Sequence, residues 1–494
     1  MEPRTAAAIA ANRYGLGAKA GELARIAADP QGWLRTQLDG GPPMLADAGL
    51  TRSAEIIAET LETRGEARPA RRNATPGRQA RPAPGEPTDP RAGSTRDSAA
   101  VRNVVDIARR HRSIYDAEVE ARTRHALATD RPFVERLTHF WTNHFAVSVD
   151  KPAMLGLAGA FEREAIRPNV LGNFSDLLIA AERHPAMLIY LDNHLSIGPG
   201  SRIARAAAAR RNARELGLNE NLAREILELH TLGVGGGYSQ RDVTSLAEVL
   251  TGWSIVGAGQ IARRLGATQD AVGEPGEFAF RAQLHEPGAK EVLGKRYADA
   301  GVSQGEAVLR DLAAAPATAR FVATKLARHF IADEPPDSAV DRIAQAFLAS
   351  DGDLIGAYHA LVEAPEAWQA PLAKYKTPSD YVISALRGLA VPPGRRGAEA
   401  ASFELLGQRT YSPGSPAGWP DRSADWDGGS ALLKRIEWAD ALSQRIGARR
   451  VAAELAPQLL GGTLSPATAA AIERAATAEQ AVTLLLTAPE FVRR

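Results

Sequence analysis

Apolar residues recur at helical spacing along most of the chain. Phe133, Leu137, Phe140, Trp141 and His144 share one face of a helix that begins near Asp130, with Asp130 as its cap and Pro132 in its first turn. A second helix is expected over 154–167, stopped by Pro168, and a third over Phe174–Arg183. His184-Pro185 opens a fourth, which carries Met187, Leu188, Tyr190 and Leu191. Residues 219–232 read as a helix ended by Gly233, and Gly235-Gly236-Gly237 make a turn. Ser239 and Asp242 then form a capping box, and Val243, Leu246, Ala247 and Leu250 supply the stripe of the next helix. The two helices make a hairpin.

Residues 256–295 lack a helical period and are rich in glycine, which predicts loop with a short hairpin. Helices resume at Ser303, where Glu306 completes a second capping box. A Leu-x-x-Ala-Pro pattern at Leu312, Leu361 and Leu485 ends three of them, because proline cannot continue a helix and disfavours it in the residue before. The stretch 407–429, with Tyr411, Trp419, Pro420 and Trp426, reads as a long ordered loop.

Residues 64–100 break the pattern. Pro69, Pro76, Pro82, Pro84, Pro87 and Pro90 fall among Arg, Gly, Thr and Ser with almost no large apolar side chain. Such a stretch buries too little surface to offset its ordering entropy and is expected to be a disordered, solvated insert. The expectation is an all-α, multi-helix protein with helical hairpins. N-terminal helices fill 1–63 and the insert 64–100. A helical core with the main motif covers 101–255, a loop-rich connection 256–302 and a C-terminal helical lobe 303–494.

Composition narrows the function classes. Hydrophobic residues make up 45% of the 494, enough for a sizeable core. Fifty-nine basic and 58 acidic residues leave a formal charge of +1, which argues against bulk binding to nucleic acid. No cysteine is present, so disulfides, thiolate nucleophiles and zinc–cysteine sites are excluded. No segment is apolar for long enough to span a membrane, and residues 1–20 lack the apolar run of a signal peptide. The cytoplasm is the expected location, with export alongside a signal-bearing partner as the alternative.

Candidate chemistry sits around the 219–232 helix. Glu220, Arg224 and Glu228 lie at i, i+4 and i+8, an ion-pair ladder worth a few tenths of a kcal/mol per pair. Glu225 and Glu228, three apart beside the apolar stripe, suit either a divalent metal or general acid–base work; a salt-bridged surface is the structural alternative. On a regular helix His230 lies about 140° round from Glu225, so the two cannot share an ion. His144 falls on the apolar stripe of its helix, a position where a hydrogen-bonded core histidine is the commoner reading. His184 precedes a proline, where capping is the expected role, and His285 in its Gly-flanked loop is the histidine with most freedom to act. The expected site lies where the 219–232 helix faces His144 and the 184–193 segment. Its candidate ligands are Glu225, Glu228, His144, His184 and Asp192, with Glu225, Glu228 and His144 as the catalytic candidates. No His-Glu-x-x-His, nucleophile elbow or Walker loop occurs.

The stretch Asn219 to Val234, with Tyr238 to Trp253, Trp141 to Phe145, His184 to Asn193, His285 to Gly288, Phe321 to Phe330 and Ala488 to Phe491, resembles the bacterial family "domain of unknown function 1800". The resemblance covers almost the whole chain apart from the insert. It implies no established activity. It does imply a neighbour, since genes of this family often adjoin those of a sulfatase-like family, "domain of unknown function 1501". Three readings are open: a partner or maturation factor for that sulfatase-like protein, a metal-assisted hydrolase or oxidase built on the Glu/His cluster, or a binding module for glycan or another anionic ligand. The cofactor is unknown from sequence, with a divalent metal ion the candidate.

Overall fold

Proline-started helices build the molecule, and the segments between them fold back as tight turns or short hairpins. A computed structural model describes residues 1–46, 49–72, 91–208, 217–257, 273–370, 372–394 and 397–494, with backbone alone at 64–72, 91–104 and 448. The architecture is mostly helical, and the described strands form two small antiparallel pairs. Trp253–Ile255 pairs with Phe278–Phe280, and Lys290–Val292 with Lys295–Tyr297. The Gly-rich connection therefore holds two strand pairs; its residues 258–272 lie outside the described residues, as does the centre of the insert, 73–90. On either side of that centre the chain is helical, over Ser53–Arg72 and Arg91–Ala128.

The Pro132–His144 helix starts at its proline and buries Phe133, Val134, Leu137, Phe140, Trp141 and His144. Its N-cap is Arg131, with no side-chain capping bond, because Asp130 turns away to Lys19 at 3.0 Å. The Ser239–Asp242 capping box forms as expected. The one expected at Ser303 does not: the Val302–Ala313 helix is led by Gly301, whose positive φ turns the chain, and Glu306 pairs with Arg183 at 2.6 Å instead. Helices end at Ala313, Glu363 and Thr487, where the Leu-x-x-Ala-Pro stops place them.

Two expected helices contain wider turns. The 154–167 segment breaks into a 3-10 turn at Pro152–Met154, an α turn at Ala158–Phe161 and a π turn at Glu162–Ile166. The 219–232 helix is α over Asn221–Glu225 and π over Ile226–His230. That extra width buries Leu227 beside Leu222 and Ile226, where a regular helix would bury Leu229.

One hydrophobic cluster runs from Ala7 to Val492 and draws on both the 101–255 core and the 303–494 lobe. Tyr14 at its centre packs on Phe133, Phe330 and Trp368 with ring centroids 5.5–5.8 Å apart. Fully buried Arg167 ties the Pro132–His144 helix to the π segment through Glu135 at 2.8 Å and Glu162 at 2.7 Å. Backbone bridging between Lys374 and Arg494 (Arg494 N to Lys374 O, 2.7 Å) carries the Arg494 side chain into the interior. The Pro132–His144, Pro316–Phe330 and Pro378–Gly388 helices, together with the 407–425 loop, then surround a cavity.

Candidate functional site

The residues singled out by sequence are distributed over several small networks. His144 is 1% exposed; its Nε2 donates to the carbonyl of His230 at 3.1 Å, leaving Nδ1 without a partner among the described residues. Burial holds its pKa well below the ordinary histidine value, helped by the Lys325 charge. His230, turned inward by the π turn, stands 2.7 Å from a Glu182 oxygen, in a geometry too poor for a hydrogen bond. Glu225 is half-buried, and its pKa is raised by burial against the pull of His230, with Glu228 adding to the rise. The 3.6-residue period keeps Glu225 and His230 apart; the π turn makes them electrostatic neighbours. Glu228 lies 3.7 Å from Arg224, which also bonds Glu220 at 3.2 Å, so the expected ladder is present.

The other two candidates have separate partners. His184 caps its helix by accepting from the Ala186 N–H at 3.1 Å, and its Nε2 meets Glu164 at 3.1 Å. Asp192 sits at a positive φ and binds Lys151 at 2.8 Å, which in turn covers the last carbonyls of the Pro185–Tyr190 helix. Among the described residues no group of three or more His, Asp or Glu side chains is arranged to hold a metal ion. His285 is the clear correction. It is 5% exposed, and its Nδ1 donates to the Thr251 carbonyl at 2.8 Å. Gly252, at φ +85°, lets the chain pass this close: a Cβ there would meet the Arg281 carbonyl at 2.8 Å.

The cavity holds about 550 Å³, within the range of small-molecule sites. Its wall carries His144, but the chemistry is concentrated on the Pro316–Phe330 helix. Lys325, Arg328 and His329 fall at i, i+3 and i+4, hence on one face. Opposite stand Arg136 and Asp380, and the loop contributes Tyr411, Trp419 and Asp421. Gly418 shapes that loop: at φ +83°, a Cβ would lie 2.3 Å from the Asn143 carbonyl oxygen. The Asn143 side chain clamps Trp419 on both sides, accepting its N–H at 2.7 Å and donating to its carbonyl at 2.9 Å.

The charges divide into paired and unpaired. Asp380 takes Arg136 at 3.2 Å and Arg494 at 3.0 Å, and Asp421 takes His329 Nδ1 at 2.9 Å, Lys374 at 3.6 Å and Arg494 at 3.4 Å. Burial alone would raise both carboxyls; the arginine and lysine charges, with the hydrogen bond from His329 to Asp421, outweigh it and hold both well below the usual carboxylate range. Burial likewise lowers His329 to about 4, against the pull of Asp421, so the ring is neutral and its buried Nε2 is an acceptor without a partner among the described residues. Arg122 pairs with Glu162 at 2.8 Å and Arg422 with Glu334 at 2.7 Å. Among the described residues Arg328 reaches only a backbone carbonyl, that of Asp333 at 3.2 Å. Among the described residues Lys325 has no hydrogen-bond or carboxylate partner; its Nζ stands 5.6 Å from the Phe321 ring centroid. Burial, with the Arg328 charge beside it, lowers Lys325 to about 8, although Asp421 pulls the other way.

A family model described as "protein of unknown function (DUF1800)" matches residues 9–493. The chain belongs to this family. No curated protein and no solved structure matches it. The DUF1800 match takes in every residue of the cavity wall as well as the 219–232 motif. Sequence reasoning passed over the main wall residues of this DUF1800 chain, namely Lys325, Arg328, His329 and Asp421. A signal was present: three basic side chains at i, i+3 and i+4 sit on the inner half of an otherwise Ala-rich amphipathic helix. Their counterpart Asp421 lies 92 residues from His329 in sequence, so only folding pairs them.

Proposed function

We propose that the cavity binds a small organic anion, with Lys325 and Arg328 as its charge partners and the His329–Asp421 pair as the proton acceptor beside it. Lys325 carries this reading. Its half-buried ammonium lines the cavity with no hydrogen-bond acceptor or carboxylate in bonding reach among the described residues, so an anion entering the cavity gains a direct charge-assisted partner there. Arg328 one turn away offers a planar donor fork suited to carboxylate or phosphate. The neutral His329, oriented through Nδ1 by an ionised Asp421, has the arrangement of a general base. Neither a divalent ion nor a sulfatase-like partner is required by this reading.

The test is binding of simple anions to the full chain. Millimolar phosphate, citrate or 2-oxoglutarate should raise the melting temperature at pH 7 by several degrees, and Lys325→Met combined with Arg328→Met should abolish the rise. If no member of that series shifts the wild-type transition beyond a chloride control, the reading fails.

A further inference from the structure

We propose that Lys325 captures the carbonyl group of an aldehyde or ketone that also bears an anionic group, forming an imine at its Nζ. The inference rests on the anion-binding reading and adds the substrate class. Three observations lead to it. The Nζ of Lys325 has no hydrogen-bond acceptor among the described residues and stands 5.6 Å from the Phe321 ring centroid. It lines a cavity of about 550 Å³, where a carbonyl compound has room. Arg328 and His329 share its helix face, placing an anion partner and a proton acceptor within one turn.

Two fully buried lysines make the contrast. Lys374 is bound by Asp333 at 2.8 Å and by the Asp421 carbonyl. Lys376 meets Asn12 at 3.3 Å and Ser384 at 3.2 Å, with the Phe491 ring 4.3 Å away. Neither lines the cavity. Burial lowers Lys376 to about 7, further than the value of about 8 for Lys325, so depressed basicity alone does not single out a reactive amine; access and the missing acceptor do.

The chemistry balances without an oxidant or reductant. The neutral amine attacks the carbonyl carbon, the N–C bond forms, and the C=O electron pair moves to oxygen, which takes up a proton as nitrogen loses one. The carbinolamine then expels its oxygen as water while the C=N bond forms. The sum is amine plus carbonyl giving imine plus water, reversible by hydrolysis. A desolvated lysine beside a second cation is the setting in which this attack proceeds near neutral pH.

The experiment uses the full chain with two anionic aldehydes of different size, glyoxylate and pyridoxal 5′-phosphate, each trapped with cyanoborohydride and mapped by mass spectrometry. Pyridoxine 5′-phosphate, which lacks the aldehyde, reports anion binding separately. The expected result is binding of pyridoxine 5′-phosphate to the wild-type chain together with a reduced adduct on Lys325 that forms at least about tenfold faster than on exposed Lys434 and disappears in Lys325→Arg. Binding of pyridoxine 5′-phosphate with no preferential adduct on Lys325 from either aldehyde would overturn the imine and leave the anion site standing. Absence of both binding and adduct would overturn the two together.

Discussion

At the scale of single residues, two side chains decide what the cavity is. Lys325 has its pKa lowered to about 8 from an ordinary lysine value of 10.5. Between those pH values the unfolded chain holds more protons than the folded one, so this residue makes stability rise with pH from about 8 toward 10.5. Below pH 8 the folded state carries the uncompensated charge. Lys325→Met is therefore expected to stabilise the ligand-free protein at pH 7 by about 1–3 kcal/mol, a gain that shrinks by pH 10. Urea denaturation at the two pH values checks it; a destabilised variant at pH 7 would refute an uncompensated ammonium. Gly418 is the second. Its φ of +83° and the 2.3 Å approach of a Cβ to the Asn143 oxygen leave no room for a side chain. Gly418→Ala should lower stability by about 2–3 kcal/mol and loosen the Trp419 wall, read as a lower melting temperature and faster quenching of tryptophan fluorescence.

At the scale of elements, the π turns and the buried arginines belong together. The Glu162–Ile166 turn presents Glu162 inward, where Arg167 bridges it to Glu135 on the neighbouring helix. The carboxyl of Glu162 is lowered to about 2, with burial opposed by Arg122 and Arg167. A depressed carboxyl contributes stability that is fully present above its unfolded value of 4.5 and is lost as pH falls through about 2. Arg167→Met strands both glutamates and should cost about 3–5 kcal/mol at pH 7. The loss should be smaller at pH 4, where the stranded glutamates protonate in the variant; a pH-independent loss would place the damage in packing instead. The Ile226–His230 turn works in the same way for His230, moving its ring to Glu182 and its carbonyl to His144. The 3.6-residue period correctly located this helix and mispositioned only the residues after Glu225. A π turn differs from an α turn by one residue of width, and no composition rule marks it.

At the scale of the whole molecule, the cavity lies where segments distant in the chain meet. His144 and Lys325 come from different expected lobes, and the hydrophobic cluster is continuous through both. Heating should therefore give one main calorimetric transition, and fragments 101–255 and 303–494 made separately should each lack a cooperative melt. Two well-separated transitions in the full chain would show that the lobes fold independently.

Helix content, the proline stops, the Ser239–Asp242 capping box and the family were all legible from the chain, because each depends on neighbours within a turn or two or on a run of matching motifs. The placement of His184 as a cap and the Glu220–Arg224–Glu228 ladder are local in the same sense. The cavity was not legible. Arg136 meets Asp380 across 244 positions of chain, Asp421 joins the same wall from further along the sequence, and Arg494 pairs with both carboxylates. Whether a basic side chain is paired, and hence what its charge does, is set by partners that only the tertiary fold supplies.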